Sequence, residues 1–476
     1  MNFNIVPIQF NIDSPEPLYL QLFNHLKQYI LDNKLELGDK LPPIRTLAKQ
    51  LEVNNITVVN AYKQLEHTGY ATSKQGSGYY VTYEKAHSSN NFSLPTSSVN
   101  KNNSLINFSS TSPEPSIFPV EPFQKYMNEV IDRDKGYAFS YQEVNGFMPL
   151  REVLCTLVKN TYNITTTPYC IQLVSGAQQG LDIISKSLLF SGDNVITETP
   201  TYYGAVDVFK SRGCRITSIE ITPTGINLTE FEKKVKICKP KLVYIMPNFQ
   251  NPTTYSYAKH TLKELLRLAD IYNFYILEED SMWELNYVPR QALSLKAMDK
   301  NDRVIYLKSF SKLLMPGLRM GFLIIPPTLV DSFTKTKQTT DLSSSGLTAR
   351  TLELYLKNKD WDIHLSTLKQ TYKERYDCML SGLTGLNDYG ISFHKANGGV
   401  GFWLRLPDNM SAKDLYDKCY LDGLLILPSS MFYPHMDKLK DKFVRLSFAS
   451  CSLEDINKGC EILNSCIESL FKANSN

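Results

Sequence analysis

The 476-residue sequence has no run of the roughly 18 apolar residues needed to span a bilayer. Its start, MNFNIVPIQFNIDSPEP, lacks the basic segment and apolar core of a secretory leader. Both absences point to a cytoplasmic chain. The nine cysteines are odd in number and form no CxxC pair. That excludes a disulfide framework or a zinc site as the organising device, and they read as reduced thiols with no metal site expected. Charge of one sign is also missing. The net charge is +3, which neither demands nor excludes a nucleic-acid partner. No internal repeat of solenoid period appears. What is present is a globular composition, 42% hydrophobic and 21% charged. The chain is too long for one ordinary core, so two or more domains are expected.

Composition changes over residues 86–107, AHSSNNFSLPTSSVNKNNSLIN, which are rich in Ser and Asn and poor in regular apolar spacing. The expected organisation is a small unit over 1–82, a flexible linker over 83–107 and a large unit over 108–476. In the small unit, Leu22, Leu26 and Ile30 recur every fourth residue, with Tyr19 and Phe23 beside them. Ile44, Leu47, Ala48 and Leu51 make a second stripe, and Val58, Ala61, Tyr62 and Leu65 a third. Each predicts a helix with one buried face. The second and third are separated by Glu52, Val53 and Asn54, a helix-turn-helix spacing with Asn54 as N-cap. YATSKQGSGYYV then reads as two short strands around Gly76-Ser77-Gly78, a wing. With the third stripe buried, Thr57, Asn60 and Gln64 face outward with Lys63 beside them, where they could reach base edges and phosphates. Asn55, Arg45 and Lys49, with Lys74 and Gly76 on the wing, complete the expected DNA-binding set. Charge alone carries little: residues 1–82 hold seven Lys/Arg and seven Asp/Glu. The pattern by itself also fits a small helical interaction module.

LELGDKLPPIRTLA, TVVNAYKQLEHTGY and GSGYYV resemble the GntR-family winged helix, and the likeness runs through the whole small unit. It implies double-stranded promoter DNA as the partner. One departure is Asn54-Asn55-Ile56, where the family often has Ser-Arg-Asn; the loss of that Arg bears on the operator sequence, not on the fold.

In the large unit, strand-like runs (CIQLVSG, NVITETP, KLVYIMPN, FYILEED, RVIYLKSF) alternate with helical patterns, with helices expected from Gln178 and Ala258. This predicts an α/β domain with a large, mostly parallel sheet covered by helices and ligands at the carboxyl ends of its strands. IYLKSFSKLLMPGLRMGF is the most informative stretch. A strand expected to end at Phe310 leads through Ser309 and Ser311 to Lys312, then Gly317 and Arg319. A lysine beside hydroxyls and an arginine suits a Schiff base next to a phosphate; burial and nearby cationic charge would lower its pKa. A lone lysine near serine is more often solvated surface.

SFSKLLMPGLR closely resembles the lysine motif of fold type I, pyridoxal 5'-phosphate (PLP)-dependent aminotransferases. Further resemblances follow in the family's order. VSGAQQG implies Ala177 and Gln178 at the phosphate, at a helix N-terminus that favours anions. ETPTYYG implies Tyr202 stacked on the pyridine ring. PNFQNPTT implies Asn251 beside the ring hydroxyl. FVRLSFA implies Arg445 gripping an amino-acid carboxylate. YQEVNGFMPLREVL implies Tyr141 reaching the partner subunit's cofactor phosphate. The acid that keeps the pyridine nitrogen protonated falls in LEEDSMWEL, where Glu279 takes the family's Asp position. Asp280 ranks second; neighbouring strand residues face opposite sides, so only one of the two can meet the ring. The family's Tyr falls on Ser281 or Met282, a departure that implies weakened or specialised chemistry.

A GntR-like winged helix joined to an aminotransferase-like domain resembles the MocR/GabR type of transcription regulator. That resemblance implies a homodimer whose large domain senses PLP or an amino compound through an aldimine on Lys312. A working amino-acid transaminase carrying a DNA-binding head, and a binding module that no longer takes PLP, are the alternatives.

Overall fold

The computed structural model describes residues 10–11, 16–31, 35, 39–68, 70–74, 77–81, 105–288, 292–434 and 441–475. The chain divides into two compact units, Met1–Asn102 and Asn103–Asn476.

Unit 1 contains helices α1 (Leu18–Leu31), α2 (Ile44–Gln50) and α3 (Asn55–His67), then strands β1 (Ala71–Lys74) and β2 (Gly78–Val81). Leu22, Leu26, Ile30, Leu47, Ala48, Val58, Ala61, Tyr62 and Leu65 form its buried core. The three apolar stripes converge on this core, and neither α2 nor α3 is long enough to hold its shape without it. The Asn54 side chain caps α3 by accepting from Ile56 N at 2.9 Å. Buried Tyr62 donates its hydroxyl to the Pro42 carbonyl at 2.8 Å, tying α3 to the start of α2. β1 and β2 pair antiparallel, Ala71 opposite Val81. Val81 N also donates to Asp39 O and Leu41 N to Tyr79 O, so the stretch before α2 extends the wing.

Unit 2 begins with β3 (Ile106–Asn107), α4 (Val120–Asp134) and α5 (Met148–Tyr162). The alternating part follows: β4 (Ile171–Val174), α6 (Gly176–Leu188), β5 (Asn194–Thr199), α7 (Tyr203–Ser211), β6 (Arg215–Thr222), β7 (Gly225–Ile226), α8 (Leu228–Cys238), β8 (Leu242–Ile245), α9 (Lys259–Tyr272), β9 (Tyr275–Asp280), α10 (Leu295–Met298), β10 (Val304–Ser309) and β11 (Gly321–Ile324). Helices α11 (Val330–Asp341), α12 (Gly346–Lys357) and α13 (Lys359–Gly382) come next. The last part is β12 (Ser392–Phe393), β13 (Gly401–Arg405), α14 (Ala412–Leu421), β14 (Leu424–Leu425), β15 (Leu427–Pro428), β16 (Phe443–Ser447) and α15 (Leu453–Ser475).

The large sheet has the order β4-β11-β10-β9-β8-β5-β6-β7. β10, β9, β8, β5 and β6 are parallel neighbours, while β11 runs against both β10 and β4. The reversal of β11 leaves β4 pointing the same way as those five parallel strands, and β7 at the far edge runs against β6. The carboxyl ends of β4, β5, β8, β9 and β10 therefore share one edge. Both faces are covered: Ile305 and Leu307 face the core beneath α6 and α7, and Tyr306 faces the opposite core. This burial explains the near-continuous apolar runs read from the sequence. A second, antiparallel sheet, β12-β13-β16-β15, carries Arg445 opposite Trp403 and Leu427.

Most of the expected linker, residues 83–107, lies outside the described residues, but its end does not. Ile106–Asn107 pair with Leu424–Leu425 in parallel, and Phe108 is fully buried. A two-residue strand is too short to show an alternating pattern. Three other boundaries move slightly: α6 begins at Gly176, α9 begins at Lys259 and β10 stops at Ser309. Among the described residues no helix is long and apolar enough to cross a membrane.

Candidate cofactor site and DNA-binding surface

The shared strand edge gathers the residues singled out in unit 2. After β4, the chain turns at Gly176 (φ +77°) into α6. A Cβ on Gly176 would lie 2.8 Å from Nη2 of Arg319, so glycine is what lets Arg319 close over this turn. Arg319 donates from the same nitrogen to the Ser175 carbonyl at 2.9 Å. Gly176, Ala177 and Gln178 form the first turn of α6, whose N–H groups have no intrahelical acceptors and whose dipole favours an anion. From β10, buried Ser309 donates to Ser311 Oγ at 3.1 Å, and Ser311 N donates back to Ser309 Oγ at 3.3 Å. A guanidinium, two hydroxyls and a helix N-terminus are donors that could together hold a phosphate.

Tyr202 follows β5 and starts α7. Its hydroxyl donates to Gln178 Oε1 at 3.3 Å, while Gln178 Nε2 donates to the Gly204 carbonyl at 3.1 Å. A Cβ on Gly204 would lie 2.6 Å from Cζ and the hydroxyl of Tyr202, so the ring's hydroxyl end packs against that glycine. Burial raises the phenol well above its ordinary value. It stays neutral and offers a ring face and a hydroxyl.

Lys312 is partly buried just past β10. Its Nζ lies 2.6 Å from Thr111 Oγ1. Burial first, and the Arg445 charge second, bring its pKa down to about 8, against the pull of Glu279. A lysine that loses its proton near neutral pH is a competent amine nucleophile. Glu279 is buried and accepts from the Tyr244 hydroxyl at 2.6 Å and the Ser281 hydroxyl at 3.2 Å. Burial raises its pKa, and these two donors with the Lys312 charge oppose the rise.

Asp280 is a correction. Alternation along β9 turns its carboxylate to the other face. There it lies 3.6 Å from Lys308 Nζ and accepts from Trp283 N at 3.1 Å and from Met282 N at 3.3 Å. Lys308 also donates at 2.6 Å to both Glu284 Oε2 and the Tyr162 hydroxyl. Asp280 thus belongs to a buried charge cluster beneath the sheet, not to the group around Lys312.

Arg445 is buried on β16, with its guanidinium 5.1 Å from the centre of the Phe432 ring. Burial brings its pKa down to about 10, so it remains charged. Nη1 donates to Asn251 Oδ1 at 3.1 Å and Nη2 to the Ser109 carbonyl. Nε is buried without a partner. Asn251 and Tyr202 are set by a carboxyl that the sequence reading missed. Glu198, pushed up to about 8 by burial, accepts from Tyr257, Met246 N and Gln250, and Gln250 donates to the Pro200 carbonyl at 2.7 Å. One buried group thereby ties the turn before Tyr202 to the turn before Asn251. A second network was equally hidden: Ser175 N donates to Gln179 Oε1, Gln179 to Asp341, and Lys337 to Asp341. Tyr141 stands apart from this group, 86% exposed.

In unit 1, Arg45 and Lys49 are exposed on α2, and Asn55, Asn60 and Lys63 on α3, with Thr57 and Gln64 half-buried. Lys74 ends β1, and Gly76 lies outside the described residues. The sequence reading passed over the contact that fixes the wing to α3: Glu66 accepts from Ser73 N at 2.8 Å and from its hydroxyl at 2.6 Å.

Comparison with known proteins finds a match for each unit. The family described as Aminotransferase class I and II matches residues 106–463, and that of bacterial regulatory proteins of the gntR family matches residues 18–81. The HTH-type transcriptional regulator YdfD of Bacillus subtilis is 30% identical, over 95% of this chain and 97% of its own length. Among solved structures, kynurenine aminotransferase of Pyrococcus horikoshii, in complex with PMP, superposes with TM-score 0.73 at 30% identity, over 78% of this chain and 92% of that one. LysN of Thermus thermophilus, an α-aminoadipate aminotransferase complexed with N-(5'-phosphopyridoxyl)-L-leucine, gives TM-score 0.72 at 27% identity, over 78% and 94%. The chain belongs to the MocR-like family, GntR-type helix-turn-helix transcription regulators fused to a class I and II aminotransferase domain.

Proposed function

We propose that unit 2 holds PLP at Lys312 and uses it to sense an amino compound, and that occupancy of this site alters DNA binding by unit 1. The observation that carries the reading is Lys312 itself: an amine brought down to about 8 by burial and the Arg445 charge, just past β10 at the strand edge where Ser309, Ser311 and the start of α6 also lie. The residues fit the cofactor. Glycine at position 176 lets the Arg319 guanidinium lie against the turn, where any Cβ would strike it, and buried Arg445 keeps an unpartnered Nε.

PLP, when bound, supplies an aldehyde that condenses reversibly with amines and a pyridinium ring that withdraws electrons. Arg319, Ser309, Ser311 and the first turn of α6, with Ala177 and Gln178, would hold the phosphate. Tyr202 would cover one ring face. Asn251 would partner the ring hydroxyl and Glu279 the protonated ring nitrogen. Lys312 would be the attachment point, and Arg445 would bind a ligand carboxylate through two parallel hydrogen bonds. A ligand changes DNA binding only through its different affinity for two arrangements of the protein.

The finer partners belong to the same proposal: a homodimer in the cytoplasm, with Tyr141 reaching the partner's phosphate. Its 86% exposure, beside exposed Tyr137 and Phe139, supports a surface that a second copy covers. Arg45, Lys49, Asn55, Thr57, Asn60, Lys63, Gln64, Lys74 and Gly76 would meet DNA.

The test is the visible spectrum of purified protein with added PLP, before and after borohydride. A yellow band, reduced onto the Lys312 peptide and lost in Lys312→Ala, is expected. Absence of any band refutes the cofactor reading. The retained Lys312, Glu279 and Arg445 also keep transamination open as a second reading. Repeated conversion of an amino acid to its keto acid would establish it.

A further inference from the structure

Two contacts to the groups a ligand needs come from one short stretch of chain. The Ser109 carbonyl accepts from Arg445 Nη2, and Thr111 Oγ1 lies 2.6 Å from Lys312 Nζ. The stretch is held at both ends. Before it, Phe108 is buried and its N–H donates to the Leu425 carbonyl at 2.8 Å. After it, Glu114 pairs with buried Arg375, which also donates to the Ala449 carbonyl at 2.8 Å. Its shape is set by one side chain: Asn107 Oδ1 accepts from Ser109 N at 2.8 Å, Ser109 Oγ at 2.7 Å and Ser110 N at 3.2 Å. This turn holds the Ser109 carbonyl against Arg445.

We propose that Ser109–Thr111 is an internal competitor built into the site, one that an amino compound bearing a carboxylate displaces and an amine without one does not. The inference rests on the assignment of Lys312 and Arg445 as the amine and carboxylate groups of a PLP site. A peptide carbonyl offers Arg445 one neutral acceptor. A carboxylate offers two charged oxygens in the geometry of the guanidinium fork, so it displaces the carbonyl where a neutral group does not. PLP alone, or an amine without a carboxylate, leaves the Ser109–Arg445 bond in place. An amino acid breaks it and moves the strap. The Ser109–Arg445 bond thus reports the ligand: the strap position distinguishes an amino acid from the cofactor alone.

The experiment uses the full-length protein and two fluorescent, non-covalent probes, the phosphopyridoxyl conjugate of L-leucine and that of isoamylamine, which lacks the carboxylate. Asn107→Ala removes the turn without touching Lys312 or Arg445. It is expected to tighten the leucine conjugate about tenfold and to leave the isoamylamine conjugate within about twofold. Equal change for both probes, or none for leucine, overturns the proposal. In the wild type, the leucine conjugate is expected to speed amide exchange at Ser109 and Ser110, and the isoamylamine conjugate is not; identical exchange with both also overturns it. If neither probe binds the wild type, the cofactor assignment itself fails, and the competitor with it.

Discussion

Replacing Arg445 by Gln changes the proton affinity of a lysine 133 positions earlier in the chain, and the sign follows from the structure. Lys312 sits at about 8 instead of its ordinary 10.5 because of burial and the Arg445 charge, with Glu279 opposing. Near neutral pH a lysine of pKa about 8 is roughly one-tenth free amine, while an ordinary one is roughly one part in three thousand, a difference of about three-hundredfold. Removing the Arg445 charge leaves the burial effect intact, so part of the lowering remains. A rise of about one unit would reduce the neutral fraction about tenfold. Glu279→Gln acts in the opposite direction, because it removes the carboxylate that favours the ammonium form. The assay is the initial rate of borohydride-trapped PLP at the Lys312 peptide as a function of pH. In the wild type the rate should rise through about pH 8, following the loss of the ammonium proton. The midpoint should move up in Arg445→Gln and down in Glu279→Gln. Damage to the fold would move neither in this paired way. An unchanged or lower midpoint in Arg445→Gln refutes the electrostatic account of Lys312.

Other expectations are separable from this one. Gly176→Ala places a Cβ 2.8 Å from Arg319 at φ +77° and should weaken PLP binding at least about tenfold by equilibrium titration. Asp280→Asn should lower thermal stability, since it strips a carboxylate from buried Lys308, yet leave the pH midpoint of trapping near the wild-type value. Leu47→Ala empties a fully buried position in unit 1 and should cost about 2–5 kcal/mol there, abolishing DNA binding while the PLP spectrum is retained.

The parts legible in the sequence are those with short-range signatures. The stripe Val58/Ala61/Tyr62/Leu65 and the cap Asn54 define α3 within a dozen residues. The strand–turn–helix sequence at Ser175–Gln178 and the run Ser309–Lys312 place the candidate phosphate turn and the amine at the ends of β4 and β10, the strands on either side of β11. The family register against Lys312 puts Glu279 at the acid's position, alternation lets only one of Glu279 and Asp280 face that way, and the structure turns them to opposite faces. What stayed hidden is made by pairs distant in sequence. Thr111 meets Lys312 across 201 positions and Ser109 meets Arg445 across 336; no local periodicity records either contact. Glu198 and Lys308 were unreadable for another reason. Each is a charged residue inside an apolar strand run, and only the fold supplies the partners that let it be buried. The reversal of β11 was invisible because an apolar run of four residues has the same pattern in either direction.

The central claim, that this regulator's aminotransferase-like unit controls its DNA-binding unit through PLP chemistry, is tested most directly by DNA affinity. Duplexes selected from a random-sequence pool by the full-length protein would be titrated at fixed salt with wild type and Lys312→Ala, each with PLP, and with PLP plus a panel of amino acids. The account predicts that at least one amino acid changes the wild-type affinity about fivefold or more and leaves Lys312→Ala unaffected. Wild-type affinity that ignores both PLP and every amino acid, or a Lys312→Ala protein that responds as the wild type does, would contradict it.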